Sequence, residues 1–168
     1  MSKNIINILG CICFIAMISC KKNKVDVPVD PAPTKTQLLV NKNWKLESLS
    51  LEIPYVTPLG TFQDIYGVLV RDCEKDNTYF FRENKTATGY ENALKCNVTD
   101  PDSTNGVWTF IENETKIVLG LNNPLPIDTL TVTDLTSTQL KFRLDVSSLS
   151  FFAGQPEKRY ATGHFAKQ

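Results

Sequence analysis

The chain has one histidine in 168 residues, and its charges cancel, 18 Lys and Arg against 18 Asp and Glu. Each shortage removes a class of function. His164 would have to serve every candidate nucleophile, so no serine or cysteine has an evident base partner. The same histidine with two distant cysteines does not make a zinc set. There is no basic block beyond a short lysine cluster at 21–24, whereas nucleic-acid binding needs Lys and Arg gathered on one face. No glycine-rich phosphate loop is present, and the carboxylates are scattered, mostly in turn-like segments. The apolar run at 5–18 is short for a membrane span. No catalytic residue, metal or cofactor is expected.

What is present at the N terminus is an address. Lys3 precedes the apolar run, which Asn7 and Gly10 interrupt and which closes on Met17-Ile18-Ser19-Cys20 before Lys21-Lys22. The pattern resembles a bacterial lipoprotein signal peptide, with Met17 where leucine is usual. The resemblance implies a signal at 1–19, acylation of Cys20 and a lipid anchor. Each buried methylene adds about 0.8 kcal/mol, and stable anchoring needs more than one chain. The alternative is an ordinary signal peptide with an incidental cysteine. By resemblance to Gram-negative sorting rules, Lys21 in place of aspartate implies the outer membrane. Surface-export signals are acidic just after the cysteine, so Lys21, Lys22 and Lys24 point to the periplasmic face.

Five cysteines become two once the signal and anchor are set aside. Cys11 and Cys13 leave with the signal and Cys20 takes the lipid. Cys73 and Cys96 remain in an oxidising compartment, where a disulfide is the simple expectation and metal binding the weaker rival. Closing that loop contributes roughly 3 kcal/mol in the chain-entropy account.

Residues 20–36 form a linker carrying Pro28, Pro31 and Pro33, and residues 37–168 form one domain, expected as a monomer. A helical turn is expected at 36–41. Strands are expected at 44–53, 78–82, 86–91, 106–111, 115–121, 127–133, 139–146 and 159–166. The clearest is the last but one: Leu140, Phe142, Leu144 and Val146 alternate with Lys141, Arg143 and Asp145, the period of a half-buried strand. In the first strand the same period puts Trp44, Leu46 and Ser48 on one face. Phe62, Ile65, Tyr66 and Leu69 fall at helical spacing, so 61–72 is expected to be a short amphipathic helix. The 147–158 loop carries Leu149, Phe151 and Phe152. Eight antiparallel strands in a meander remove their edges by closing into a barrel.

Several stretches carry a family resemblance. They are Trp44-Lys45-Leu46, then Cys73-Glu74-Lys75-Asp76-Asn77 leading into Tyr79-Phe80-Phe81, and the hairpin Phe81-Arg82-Glu83-Asn84-Lys85-Thr86. Cys96, Gly106-Val107-Trp108-Thr109-Phe110 and Lys116-Ile117-Val118-Leu119 follow in order. The region 38–166 resembles the lipocalin-like domains of Gram-negative lipoproteins. The resemblance implies an all-β, eight-stranded antiparallel barrel of calycin type with a short helix between the first two strands. It also implies a Cys73–Cys96 disulfide. Two departures stand out: Lys85 and Glu114 replace the usual hairpin glycines, so each is expected at positive φ.

Fold does not fix function, and an eight-stranded barrel can be filled or can hold one small ligand. The first expectation is a membrane-anchored module for a small apolar or amphipathic ligand, with Phe62, Tyr66 and Leu69 and the Phe151–Phe152 loop closing the pocket. The second is a solid barrel that contacts or inhibits an envelope protein through its loops. Trp44 and Trp108 are expected as core plugs at the closed end. Tyr160 and His164 share one face of the last strand, either lining the barrel or sitting outside it. The 100–106 segment has oxygen-rich side chains but misses the calcium-loop spacing, and it reads as a polar turn.

Overall fold

The computed structural model describes residues 30–121, 129–152 and 155–168. The signal segment, Cys20, most of the linker and the expected start of the 127–133 strand lie outside the described residues.

The first element, α1 (Lys35–Leu39), is held at its start by a reciprocal cap. The Thr34 hydroxyl accepts from the Gln37 backbone N–H at 3.2 Å, and the Gln37 side chain accepts from the Thr34 N–H at 2.8 Å. The helix delivers Leu39 and Val40, both buried, beneath one end of the sheet. There the Leu39 carbonyl accepts the Trp44 indole N–H at 2.8 Å.

The strands are β1 (Asn43–Thr57), β2 (Gly60–Asp64), β3 (Thr78–Phe81), β4 (Thr86–Tyr90), β5 (Ser103–Ile111), β6 (Lys116–Leu121), β7 (Thr129–Leu135), β8 (Gln139–Asp145) and β9 (Tyr160–Lys167). All are paired antiparallel in the order β2-β1-β3-β4-β5-β6-β7-β8-β9, and β9 returns to pair with β1. Eight strands therefore close a barrel-like ring, and β2 is a ninth strand added outside the expected set. Ser50 pairs with both Thr162 of β9 and Asp64 of β2. A strand residue has one partner on each side, so β2 and β3 share the same edge of β1. β3 takes Asn43 to Lys45 of it, and β2 takes Ser50 to Thr57.

Two sequence expectations are corrected here. The 61–72 helix is mostly not a helix. Gly60, at φ 139°, turns the chain so that β2 folds back on β1, and only α2 (Tyr66–Leu69) and a 3₁₀ turn at Asp72–Glu74 are helical. β2 is exposed at every residue, so burial left no imprint on its pattern. Ser48 also leaves the inner face. A bulge at Glu47 advances β1 by one residue against β9, and Leu49 and Leu51 turn inward with Trp44 and Leu46. Strict alternation would have pointed both leucines at solvent, and the bulge restores their burial.

The interior is filled at the α1 end. Trp44 and Trp108 are buried, and the Trp108 indole N–H donates to the Arg82 carbonyl at 2.9 Å. Trp108 meets Phe81 and Phe110 edge-on, and Phe142 lies tilted against Phe165. The ring admits this crowding because Gly163 has no side chain. A Cβ there would come within 2.2 Å of the Phe142 ring.

Candidate functional site

Between β2 and β3, one edge of β1 is left without a strand partner. The intervening segment supplies the missing hydrogen bonds. The Ile65 N–H donates to the Leu49 carbonyl at 3.0 Å, and the Tyr66 hydroxyl donates to the Leu46 carbonyl at 2.9 Å. Burial raises the Tyr66 phenol above its usual range, with the Glu47 charge adding and Lys75 opposing. α2 and the 3₁₀ turn therefore act as a plug beside the ring's second end, opposite α1. Arg71 and Glu74 brace that plug. The guanidinium donates to Glu74 Oε1 at 2.7 Å, and the Arg71 backbone N–H donates to Oε2 at 3.0 Å. The Arg71 hydrogen bond lowers the Glu74 carboxyl below its ordinary range.

A disulfide joins this plug to the connection between β4 and β5. Cys73 and Cys96 are bonded, with their Cα atoms 5.0 Å apart. Asn92 and the Leu94 N–H bind Asp76, and Lys95 pairs with Asp102. Two polypeptide stretches far apart in sequence thus form one rim.

Inside the rim lies a chamber of about 280 Å³. Its apolar wall comes from Leu46 of β1, Leu69 and Val70 of the plug, Tyr79 of β3 and Leu121 of β6. Its polar wall comes from Arg71, Glu74, Asn77, Glu91 and Asp100. Gly89 and Thr104, paired across β4 and β5, form part of the floor. Beyond Leu46 and Tyr79, which line both spaces, a smaller hollow of about 50 Å³ runs into the ring. That hollow is walled by apolar residues of six strands, among them Leu49, Phe81, Leu119 and Phe142. It is too small for an acyl chain, so the deep interior is essentially a packed core and the usable space is at the mouth.

The residues singled out from sequence are scattered around this end. Leu69 lines the chamber. Tyr66 is half-buried against the core beside it. Phe62 stands on β2, 41% exposed. It belongs to a hairpin whose Ile53, Val56 and Leu59 are also exposed. Phe152 is buried and meets Tyr55 edge-on, whereas its neighbour Phe151 is 36% exposed. The Phe151–Phe152 loop does not line the chamber. Tyr160 and His164 lie on the outer face of β9, while Ala161, Gly163 and Phe165 turn inward. Tyr160 is covered by the Arg143 guanidinium at 3.4 Å, and Arg143 also grips Glu52 through two nitrogens. His164 pairs across the sheet with Ser48 and Lys141 and has no carboxylate as a strand partner.

Sequence reasoning missed Arg71, Asn77, Glu91 and Asp100. A signal for them existed. Arg71 and Asn77 flank Cys73, and Glu91 and Asp100 flank Cys96, so the expected disulfide would have brought them to one place. Among the described residues, no group of three His, Cys, Asp or Glu could hold a metal ion. Asp100, read from sequence as part of a polar turn, spends one oxygen on the backbone and side-chain nitrogens of Asn97.

Residues 40–142, more than half of the chain, match the family model of the lipocalin-like domain. No curated protein matches the chain.

Proposed function

The chain belongs to the lipocalin-like domain family, and from that premise we propose that it binds a small amphipathic molecule in the chamber at the second end of the ring. The observation that carries this reading is the chamber itself. Its size sits at the lower edge of small-molecule sites, about 300–1,000 Å³, and it combines an apolar wall with a few convergent polar groups, as such sites do. The lipocalin-like fold is a binding architecture, and in this reading the protein is not an enzyme. The Cys20 anchor and the proline-bearing linker complete the proposal. They would tether the domain to the periplasmic face of the outer membrane, where small molecules pass.

The test is native mass spectrometry of the full chain purified from the cell envelope. A copurifying molecule that is lost in Leu69→Trp, where the larger side chain fills the chamber, supports ligand binding there. A bare protein mass that takes up nothing from an envelope extract contradicts it.

A second reading has its own observation. The β1–β2 hairpin exposes Ile53, Val56, Leu59 and Phe62, at 61%, 73%, 92% and 41%, with Phe62 on the face of its partner Tyr55 and Val56 on the opposite face. Large exposed apolar surfaces mark interaction sites. In this reading the hairpin and the exposed Phe151 contact an envelope protein. Crosslinking from Leu59 in intact cells would capture that protein, and an uncrosslinked chain would argue against it.

A further inference from the structure

The polar wall of the chamber is unbalanced. It holds three carboxylates, Glu74, Glu91 and Asp100, against one cation, Arg71. Each group's hydrogen bonds can be followed. Both oxygens of Glu74 are taken by Arg71. Asp100 is taken by Asn97. Lys95 is turned to Asp102 and to the Asp100 carbonyl. Glu91 is different. Its Oε2 is shut off from solvent and has no hydrogen-bond partner among the described residues. Asn77 Oδ1, on the same wall, is in the same state. Buried acceptors are ordinarily paired, and a buried carboxylate needs a cation as well as a donor. The Arg71 guanidinium lies near enough for its charge to act on Glu91, but its hydrogen bond goes to Glu74, so Glu91 is left without a donor. The guanidinium is itself raised above its ordinary basicity, first by the Glu74 hydrogen bond and then by the charges of Glu74, Glu91 and Asp100. Among the described lining residues, three carboxylates against one guanidinium leave the wall with an excess of formal negative charge.

We infer that the chamber accepts a small organic ammonium ligand, whose N–H groups bond Glu91 and Asn77 and whose apolar part lies along Leu46, Leu69 and Tyr79. A metal cation does not fit the geometry, since no three acidic, cysteine or histidine side chains among the described residues gather around one point. An anion would meet two orphan acceptors and an excess of negative charge. A neutral alcohol would satisfy one acceptor but leave the carboxylate uncompensated. The apolar wall runs from the acceptors toward the hollow beyond Leu46 and Tyr79, so a short alkyl or aryl substituent on the ammonium has a place to go. The inference rests on the reading of the chamber as the ligand site and adds to it the chemistry of the head group.

The experiment is a calorimetric titration of the full chain with hexylammonium, hexanoate and hexanol, repeated on Glu91→Gln and Leu69→Trp. Hexylammonium is expected to bind more tightly than hexanoate. Glu91→Gln should weaken hexylammonium by about tenfold or more and leave hexanol unchanged, the effect of losing a charge-assisted hydrogen bond. Equal binding of hexanoate and hexylammonium, or a Glu91→Gln variant that binds hexylammonium normally, would overturn the head-group assignment. The chamber reading would survive that result if Leu69→Trp still abolished uptake of whichever probes bind. Uptake of none of the three, or full uptake by Leu69→Trp, would remove the chamber reading itself. Thermal melting of the ligand-free protein gives an independent check. Glu91→Gln removes an unpaired charge without breaking an internal bond, so its midpoint should hold or rise. A clear fall would mean that Glu91 is already satisfied within the fold, and the inference would fail.

Discussion

Single residues decide the turns and the close contacts of this ring. Lys85 and Glu114 stand at hairpin tips where glycine is expected, and both adopt positive φ, at 67° and 60°. For a residue with a Cβ that conformation costs about 1 kcal/mol. Lys85 recovers part of this by laying its ammonium 4.0 Å over the Trp108 ring. Glu114 contributes to the fold through its backbone carbonyl, which accepts from Lys35, and a glycine would keep that bond. Glu114→Gly should therefore raise stability by about 1 kcal/mol in urea unfolding. The opposite holds at Gly106, where a Cβ would come within 2.3 Å of the Gly120 carbonyl on the neighbouring strand. Backbone cannot step aside as a side chain can, so Gly106→Ala should lower stability by about 3 kcal/mol. Both turn glycine replacements were legible in the sequence because position in a hairpin dictates φ. The Gly106 contact was not, since it depends on how closely β5 and β6 approach.

Among the elements, legibility followed burial. β8 was read correctly because Leu140, Phe142, Leu144 and Val146 all face the core and the intervening residues face out. β2 was read as helix because it buries nothing, and spacing then carries no information about the core. β1 was misread past Leu46 because its bulge is invisible to a strict two-residue period. The element that matters most for function, the plug of α2 and the 3₁₀ turn, is held by Cys73–Cys96 and by Arg71–Glu74. Replacing both cysteines by serine should cost about 3 kcal/mol in the chain-entropy account. It should also weaken ligand uptake, because the bond joins the two sides of the rim. The ion pair sets a pH dependence. Glu74 is held below its ordinary value by Arg71, so the folded state binds its proton later than the unfolded state. The stabilisation is complete above the ordinary carboxylate range and is lost as pH falls through the lower, folded value. Asp72, paired with Lys75, and Asp145, bonded by Ser147, shift the same way. Unfolding midpoints should therefore drop as pH falls below about 4, and Glu74→Gln should show a shallower drop than the unaltered chain.

For the whole molecule, the ring explains why one end is solid and the other can serve as a site. α1, Trp44 and Trp108 stopper the first end, and the aromatic layer behind them leaves only about 50 Å³ of hollow. At the second end β1 loses its strand partner between β3 and β2, and the plug that replaces it leaves the chamber. The all-β class, the ring and the disulfide were legible because hydrophobic period, hairpin turns and cysteine count each constrain the chain as a whole. The site was only partly legible. Leu69 was found through its apolar spacing, but Glu91 and Asn77 sit in segments with no period. They become neighbours where the β3–β4 hairpin runs one residue past its Thr78–Tyr90 pair, and the Cys73–Cys96 bond closes the rim beside them. Amide chemical-shift mapping of the full chain titrated with hexylammonium tests the ligand site most directly. Shifts gathered at Leu46, Leu69, Asn77, Gly89, Glu91 and Thr104 are expected. Shifts confined to the β1–β2 hairpin and Phe151, or none at any residue, would contradict a ligand site in the chamber.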